Sequence, residues 1–365
     1  MGPLAGIRVL EIGGIGPNPF AGMLLADMGA DVLRIDRPGG QLGVQPATDP
    51  TLRGRQTVSM DLKSQAGREA VYALAQRADA LIEGFRPGAM ERLGLGPVDL
   101  HARNPRLVYG RMTGYGQIGP MAGVAGHDIN YIALGGALGA TRRTGQPPMF
   151  ALNLVGDYGG GAMFLAFGVV CALLEARVSG QGQVVDAAMV DGAALLTALI
   201  HGLHAAGGWS GEPGTNLLDS GAHFYEVYAT ADGGHMAVGA LEPQFYARLL
   251  ALLQIPAEEM PQFDRARWAE FKQRFQEIFV SRSTAEWVEL FESEDACVTA
   301  VRGLFDAAEH PHLAARRTFI ELGGVRQPGP APRFSRTAAE ATPAGRDPEA
   351  ALARWGLRTA ADPPA

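Results

Sequence analysis

In the first half of the chain, short runs rich in β-branched residues alternate with longer stretches whose apolar positions recur at helical spacing. The runs Ile7–Ile12, Asp31–Asp36, Thr57–Leu62, Ala80–Glu83, Leu107–Met112 and Val184–Ala188 read as strands. Helices fall near Asn18–Met28, Ser64–Arg77 and Tyr158–Ala176. This succession predicts a parallel sheet with helices on its faces, because parallel neighbours are joined by crossovers. From about Thr215 the pattern changes. His223–Thr230 and His235–Leu241 flank the turn Ala231-Asp232-Gly233-Gly234 and read as a β-hairpin. Amphipathic helices follow near Pro243–Leu253, Arg265–Val280 and Thr284–Ser293.

The expected fold class is therefore α/β. A large Rossmann-like domain spans 1–206, a linker 207–222, a smaller α+β domain 223–324, and a stretch over 325–365 returns to the large domain. Three prolines in Val325–Arg336 open that return, and Thr359–Ala365 is expected to fray.

The stretch from Val9 to Asp36 runs strand, glycine turn, helix, strand and acid, the order found in nicotinamide-binding domains. Gly14 and Gly16 supply the first two glycines of the dinucleotide fingerprint, and Asp36 supplies the acid. The third glycine position, however, holds Pro19. Pro17 and Pro19 remove two backbone N–H groups where a pyrophosphate would be cradled, and Arg37-Pro38 follows directly on the acid. A Rossmann-like unit is expected here; bound NAD is not.

At 365 residues the chain is long enough for two domains with sizeable cores. A net charge of −7 without any basic run argues against nucleic acid as a partner. Cys171 and Cys297 offer neither a disulfide framework nor metal-ligand spacing, which fits a reducing cytoplasm and no metal site. The chain does not open with a basic segment and an apolar core, so no signal peptide is expected. The most apolar stretch, Gly159 to Leu174, is short for a bilayer and is expected to be a buried helix, with no membrane span.

Three places carry candidate acid/base chemistry. Gly126-His127-Asp128-Ile129-Asn130-Tyr131 reads either as a helix start, with Asp128 as N-cap and His127 in the loop before it, or as a site. Asp157 stands before Gly159-Gly160-Gly161 and an apolar helix. It reads as an N-cap or as a carboxylate beside an anion-stabilising helix start. Glu242 precedes Pro243, which takes the first helical position. Taken singly, each has a structural explanation.

Taken together, motifs along nearly the whole chain resemble the family III CoA-transferase superfamily, and within it the α-methylacyl-CoA racemases of bacterial type. They are Asp31–Pro38, Asp61–Lys63, Phe85–Gly88, Glu91–Gly96, Met112–Pro120, Gly126–Tyr131, Asn153–Gly161, Asp232–Gly234, Val238–Phe245 and Ala331–Thr337. Ala300 departs from the pattern, which has proline there, and puts a local turn in doubt.

The resemblance implies the family III CoA-transferase fold, an interlocked homodimer and an acyl-CoA substrate, with no cofactor because CoA arrives as part of that substrate. It implies that (R)- and (S)-2-methylacyl-CoA interconvert by proton transfer at Cα through an enolate. His127 and Asp157 would be the two bases. Glu242 would hydrogen-bond His127, Asp128 would assist, and the Asp157 backbone N–H would hold the thioester oxygen.

The superfamily's transferases instead use the corresponding aspartate as nucleophile. His127 favours the racemase branch over that alternative and over a non-catalytic acyl-CoA binding protein. For the CoA moiety the resemblance implies Arg37 and Arg92, with Met60, Leu62 and Lys63 beside the adenine. Gly126, Asn130 and Tyr131 are expected to contact the substrate or its CoA, with Tyr131 and the methionines as candidates to line the acyl pocket. Arg53, Arg55 and Arg86 read equally as phosphate ligands or as solvated surface.

Arg37→Ala and Arg92→Ala are expected to raise KM roughly tenfold with little change in kcat, as loss of a remote binding contact does. Steady-state kinetics with an acyl-CoA checks this. A fall in kcat at unchanged KM would assign these arginines to the chemistry instead.

Overall fold

A sheet buried on both faces needs continuous apolar strands, and Val9-Leu10, Val32-Leu33 and Ala80-Leu81-Ile82 provide them. The computed structural model describes residues 2–40, 48–345 and 347–357. Its strands β1 (Arg8–Ile12), β2 (Asp31–Asp36), β3 (Arg55–Ser59), β4 (Ala80–Glu83), β5 (Val108–Thr113) and β6 (Val184–Ala188) form one sheet. Their order is β3-β2-β1-β4-β5-β6 and every pairing is parallel. This is the Rossmann order, which reverses direction between β1 and β4.

Side chains alternate across the sheet with the two-residue period of a strand. Val9, Val32, Ile82 and Val108 lie in one core with Leu25 of the helix Pro17–Asp27 and Leu165 and Val169 of the helix Met163–Ser179. Leu10, Leu33, Leu81 and Tyr109 lie in the other, with Val71 and Leu74 of the helix Gln65–Ala75. Ala351 of the helix Pro348–Arg354, and Trp355 after it, complete that second core.

Buried charged clusters tie these elements together. Glu11 on β1 is fully buried and ion-paired with both Arg34 on β2 and Arg55 on β3. Arg34 also reaches Asp36 at 2.9 Å and the Gly14 carbonyl at 3.1 Å. A side chain at Gly22 would collide with the Glu11 carboxylate and the Arg55 guanidinium, so glycine is what lets that helix cross the cluster. Arg53 donates to both Asp27 oxygens, at 3.0 and 2.5 Å, to Gln327 at 2.9 Å and to the Pro328 carbonyl at 2.7 Å. Arg53 and Arg55 are thus engaged in internal ion pairs rather than standing at the surface for phosphate. The buried arginine also explains why β3 begins at Arg55 and not at Thr57: hydrophobic pattern alone gives no signal for a charged residue buried against a countercharge on another strand.

The chain divides into two units. The first comprises Met1–Gly136, Ala151–Leu196 and Pro311–Ala365, the second Ala137–Phe150 and Thr197–His310. In the second, β7 (Tyr225–Ala229), β8 (His235–Gly239) and β9 (Val298–Ala300) form an antiparallel sheet. Ala300 pairs with Met236 and closes β9. Phe271, Phe275, Phe279, Trp287 and Phe291, from the helices Trp268–Phe279 and Thr284–Phe291, build an aromatic core. Buried His223 lies 2.7 Å from the Tyr246 hydroxyl, and burial pushes its pKa down to about 3, so it stays neutral.

The unit boundaries differ from the sequence reading in three places, the first being residues 197–222, read as the end of the large domain and a linker, which group with the second unit. Residues 137–150 group with the second unit, where Arg143 pairs with Glu226 at 2.6 Å. Residues 311–324 group with the first, where β10 (Phe319–Leu322) and β11 (Val325–Pro328) form a hairpin tied to Arg53 through Gln327. The segment Thr359–Ala365 lies outside the described residues.

The apolar segment expected over Gly159–Leu174 is longer than its composition suggested. Leu154–Ala162 is a π-helix that runs directly into the α-helix Met163–Ser179. The combined 26 residues are apolar and long enough to cross a bilayer by length and composition alone. One side, through Leu165, Val169, Ala172 and Leu173, packs into the core with the sheet. The opposite side exposes Met163, Phe167, Leu174 and Val178.

Glu11→Gln leaves two buried guanidiniums without their shared countercharge and is expected to cost about 3–5 kcal/mol, the loss typical of a broken buried ion pair. Urea unfolding of the variant measures it. A loss under about 1 kcal/mol, the range of exposed pairs, would show that the cluster is solvated in solution.

Candidate active site

In open parallel sheets, ligands bind beyond the carboxyl ends of the strands where the order reverses. A cavity of about 350 Å³ lies there. Gly16, Pro17 and Asn18 line it from the turn after β1, and Gly84, Phe85 and Arg86 from the turn after β4. Met112 to Tyr115, at the end of β5, form a third wall, and His127, Tyr131 and Asp157 complete it. The turn after β1 depends on Gly16, whose φ of 69° lies in the left-handed region.

His127 rather than Asp128 is the N-cap of the helix Asp128–Leu134, one residue earlier than the sequence indicated. Its backbone N–H donates to Asn130 Oδ1 at 3.0 Å, and its side chain is exposed. The Tyr131 hydroxyl donates back to the Gly126 carbonyl and braces the segment before His127. Tyr131 also meets Tyr115 edge to face at 4.9 Å.

Freed from capping, Asp128 turns inward. It is 6% exposed, and its Oδ1 accepts the N–H of Gly156 at 2.6 Å and of Asp157 at 2.7 Å. A Cβ on Gly156 would stand 2.5 Å from that oxygen, so this approach requires glycine. Oδ2 of Asp128 is buried without a hydrogen-bond partner among the described residues.

Asp157 is not an N-cap either. It lies in the first turn of the π-helix, whose ladder is closed by the Met163 N–H bonding the Tyr158 carbonyl five residues back. Gly159, Gly160 and Gly161 allow this wider winding, and π-helical turns concentrate at functional sites. Asn153, four residues before Asp157, donates to its Oδ2 at 3.0 Å. Burial, the largest influence, pushes the Asp157 pKa up from the ordinary carboxyl value. The Asn153 hydrogen bond opposes it, the Asp128 charge adds to it, and His127 opposes it.

The structure brings Gly126, His127, Tyr131 and Asp157 to one cavity. Asp128 stands behind them, and Asn130 is exposed beside them. Arg37 is exposed after β2, where its Nε donates to the Gly40 carbonyl at 2.8 Å. Met60 and Leu62 pack against the core after β3, and Lys63 is exposed. Arg92 is exposed on the short helix Ala89–Arg92. All five follow carboxyl ends of strands, and none lines the cavity. Glu242 is in the second unit as N-cap of the helix Pro243–Leu252, with Pro243 in the first helical position.

Arg86, left undecided by the sequence, lines the cavity; Asn18 and Asn153 were not singled out at all. For Asn153 a signal existed in the i,i+4 spacing to Asp157. It had no force while the helix was read as starting after Asp157.

The family model for CoA-transferase family III matches residues 4–350. The chain is 45% identical over 347 residues to the alpha-methylacyl-CoA racemase of Mus musculus, covering 94% of this chain and 90% of that protein. It is 43% identical over 339 residues to the alpha-methylacyl-CoA racemase of Homo sapiens, covering 92% and 87%. The crystal structure of Rv3272 from M. tuberculosis is similar with a TM-score of 0.79 at 28% identity, covering 96% of this chain and 99% of that one.

Glu83, at the end of β4 beside the cavity wall, accepts the Phe85 N–H at 2.6 Å and Arg111 Nε at 3.1 Å. Burial still dominates and pushes its pKa from 4.5 up to about 7. The folded state therefore holds this proton more tightly than the unfolded chain. The stability it contributes is fully present below pH 4.5 and is lost as pH rises through about 7. Urea midpoints of wild type and Glu83→Gln across that window should differ by a pH-dependent amount. A constant offset would mean that Glu83 is ionised throughout.

Proposed function

Because this chain belongs to CoA-transferase family III, we propose that it is an isomerase that interconverts (R)- and (S)-2-methylacyl-CoA thioesters by two-base proton transfer at Cα. The observation that carries this reading is that His127 and Asp157 line one cavity at the sheet's switch point. The 45% and 43% identity to mouse and human proteins of that activity points the same way.

A thioester α-proton is a weak acid, so its removal needs a positioned base and a stabilised enolate oxygen. One of the pair takes the proton from one face of Cα and the other returns a proton to the opposite face. For the opposite enantiomer the roles exchange. Burial suits Asp157 to this, since raising its pKa makes the ionised carboxylate a stronger base and keeps the acid form to higher pH. His127 supplies an imidazole, a group that can both take and give a proton.

The Asp157 N–H, expected to hold the thioester oxygen, is engaged by Asp128. We therefore assign the enolate oxygen to the N–H groups of Asp128 and Ile129, which open the helix that His127 caps, since the Asn130 N–H is already taken by the His127 carbonyl at 2.8 Å. No metal or redox cofactor is assigned a role. CoA binds as part of the substrate, its phosphates near Arg37 and Arg92 on the carboxyl side of the sheet.

The working form is an interlocked homodimer in which Glu242 from a second copy orients His127. The exposed apolar stripe Met163, Phe167, Leu174 and Val178 supports a second copy as its cover, because a solvated stripe of this kind marks an interaction surface. A cytoplasmic setting fits the two unpaired cysteines.

Incubation of a 2-methylacyl-CoA in deuterated water, with no acyl acceptor, should place one deuteron at Cα of either enantiomer. His127→Ala should retain exchange only on the hand that Asp157 deprotonates, and Asp157→Asn only on the other. A requirement for a carboxylate acceptor, with an acyl group trapped on Asp157, would sink the reading in favour of CoA transfer.

A further inference from the structure

Asp157 is gripped from two sides by residues that have no place in the proton relay itself. Asn153 donates its side-chain N–H to Oδ2 at 3.0 Å. Gly16, in the turn after β1, closes the same side: a Cβ there would lie 3.3 Å from Oδ2. Oδ2 is thereby enclosed, while Oδ1 has no side-chain hydrogen bond among the described residues. On the main-chain side, buried Asp128 pins the Gly156 and Asp157 amides at 2.6 and 2.7 Å.

We propose that Asn153 is a positioning residue for the racemisation: it anchors Oδ2 and leaves Oδ1 as the single oxygen that exchanges a proton with substrate Cα. The proposal rests on the two-base reading above. A carboxylate free to rotate presents either oxygen over a range of angles, whereas an anchored one presents a single oxygen along a fixed line. Alignment of that kind is worth large rate factors, and a displacement of about 1 Å costs on the order of a hundredfold.

The same two neighbours act on the carboxyl's proton affinity in opposite senses. A donor on Oδ2 favours the ionised form, and the Asp128 charge disfavours it. His127 also favours the ionised form, and Tyr131 and Arg86 stand in the same cavity.

The experiment uses full-length Asn153→Ala, Asn153→Ser and Asp128→Asn. Asn153→Ala should lower kcat about a hundredfold with KM nearly unchanged. It should also move the acidic limb of kcat/KM to higher pH in the direction that uses Asp157 as base. Asn153→Ser keeps a shorter donor and should fall between Asn153→Ala and wild type. Asp128→Asn keeps an acceptor but loses the charge, so the same limb should move to lower pH.

Carbon-13 NMR titration of labelled aspartate, with Asp157→Asn to identify the resonance, reads the same shifts without turnover. An unmoved limb and an unmoved titration in both Asn153 variants, with only thermal stability lowered, overturns the proposal. A wild-type enzyme that exchanges no α-proton removes the racemase reading and, with it, the catalytic role given to Asn153. The titration then still decides whether Asn153 holds the carboxylate. Failure of the proposal alone leaves exchange intact in the wild type.

Discussion

The Asp128 carboxylate accepts two backbone N–H groups from the first turn of the π-helix, and the arrangement around the cavity depends on that attachment. His127 caps one helix and Asp157 begins another, so nothing in the sheet itself fixes one against the other. Asp128 belongs to the first helix and bonds the second. Each buried amide it satisfies would otherwise carry a desolvation penalty of roughly 1–3 kcal/mol. The start of a helix is ordinarily a place for an anionic ligand. Here the Asp128 side chain fills it.

The sheet supplies the walls. Its order reverses between β1 and β4, and the turns after those two strands diverge around the cavity. Glu11, held by Arg34 and Arg55, locks β1 to β2 and β3 beneath one of those turns. Arg34 continues to the Gly14 carbonyl in the turn itself. The dinucleotide-like opening is therefore a Rossmann unit whose glycine turn borders an acid/base cavity. Prolines at 17 and 19 leave that turn with two fewer backbone N–H groups.

Much of this was legible in the sequence. The strands β2, β4 and β6 have the limits read from alternation and β-branching, and the two inner ones, β2 and β4, leave a strong apolar signal because they are buried along their length. His127 and Asp157 were singled out by residue type and by resemblance to a family. What stayed hidden involves polar atoms satisfied at long range. Asp128 looked like a cap because local rules give a short acid before a helix that role, while its real partners lie 28 and 29 residues away. Arg55 read as a phosphate ligand or as solvated surface because its countercharge sits two strands over, on β1. Asn153 was passed over because the helix was read as starting after Asp157, at Tyr158, rather than at Leu154.

The π-helix separates two jobs that one continuous α-helix would have to share. In a regular helix the direction of every side chain is fixed by its distance from every other, so a residue aimed at the cavity dictates which residues meet the sheet. The wider winding over Leu154–Ala162 breaks that phase relation before Met163. Leu165 and Val169 can then serve the core on their own rhythm, and Asp157 can face its cavity on another. Upstream and downstream of the glycine run the sequence is free to drift separately. A one-residue deletion inside the run would restore a single phase and force the carboxylate and the apolar face to compete for it.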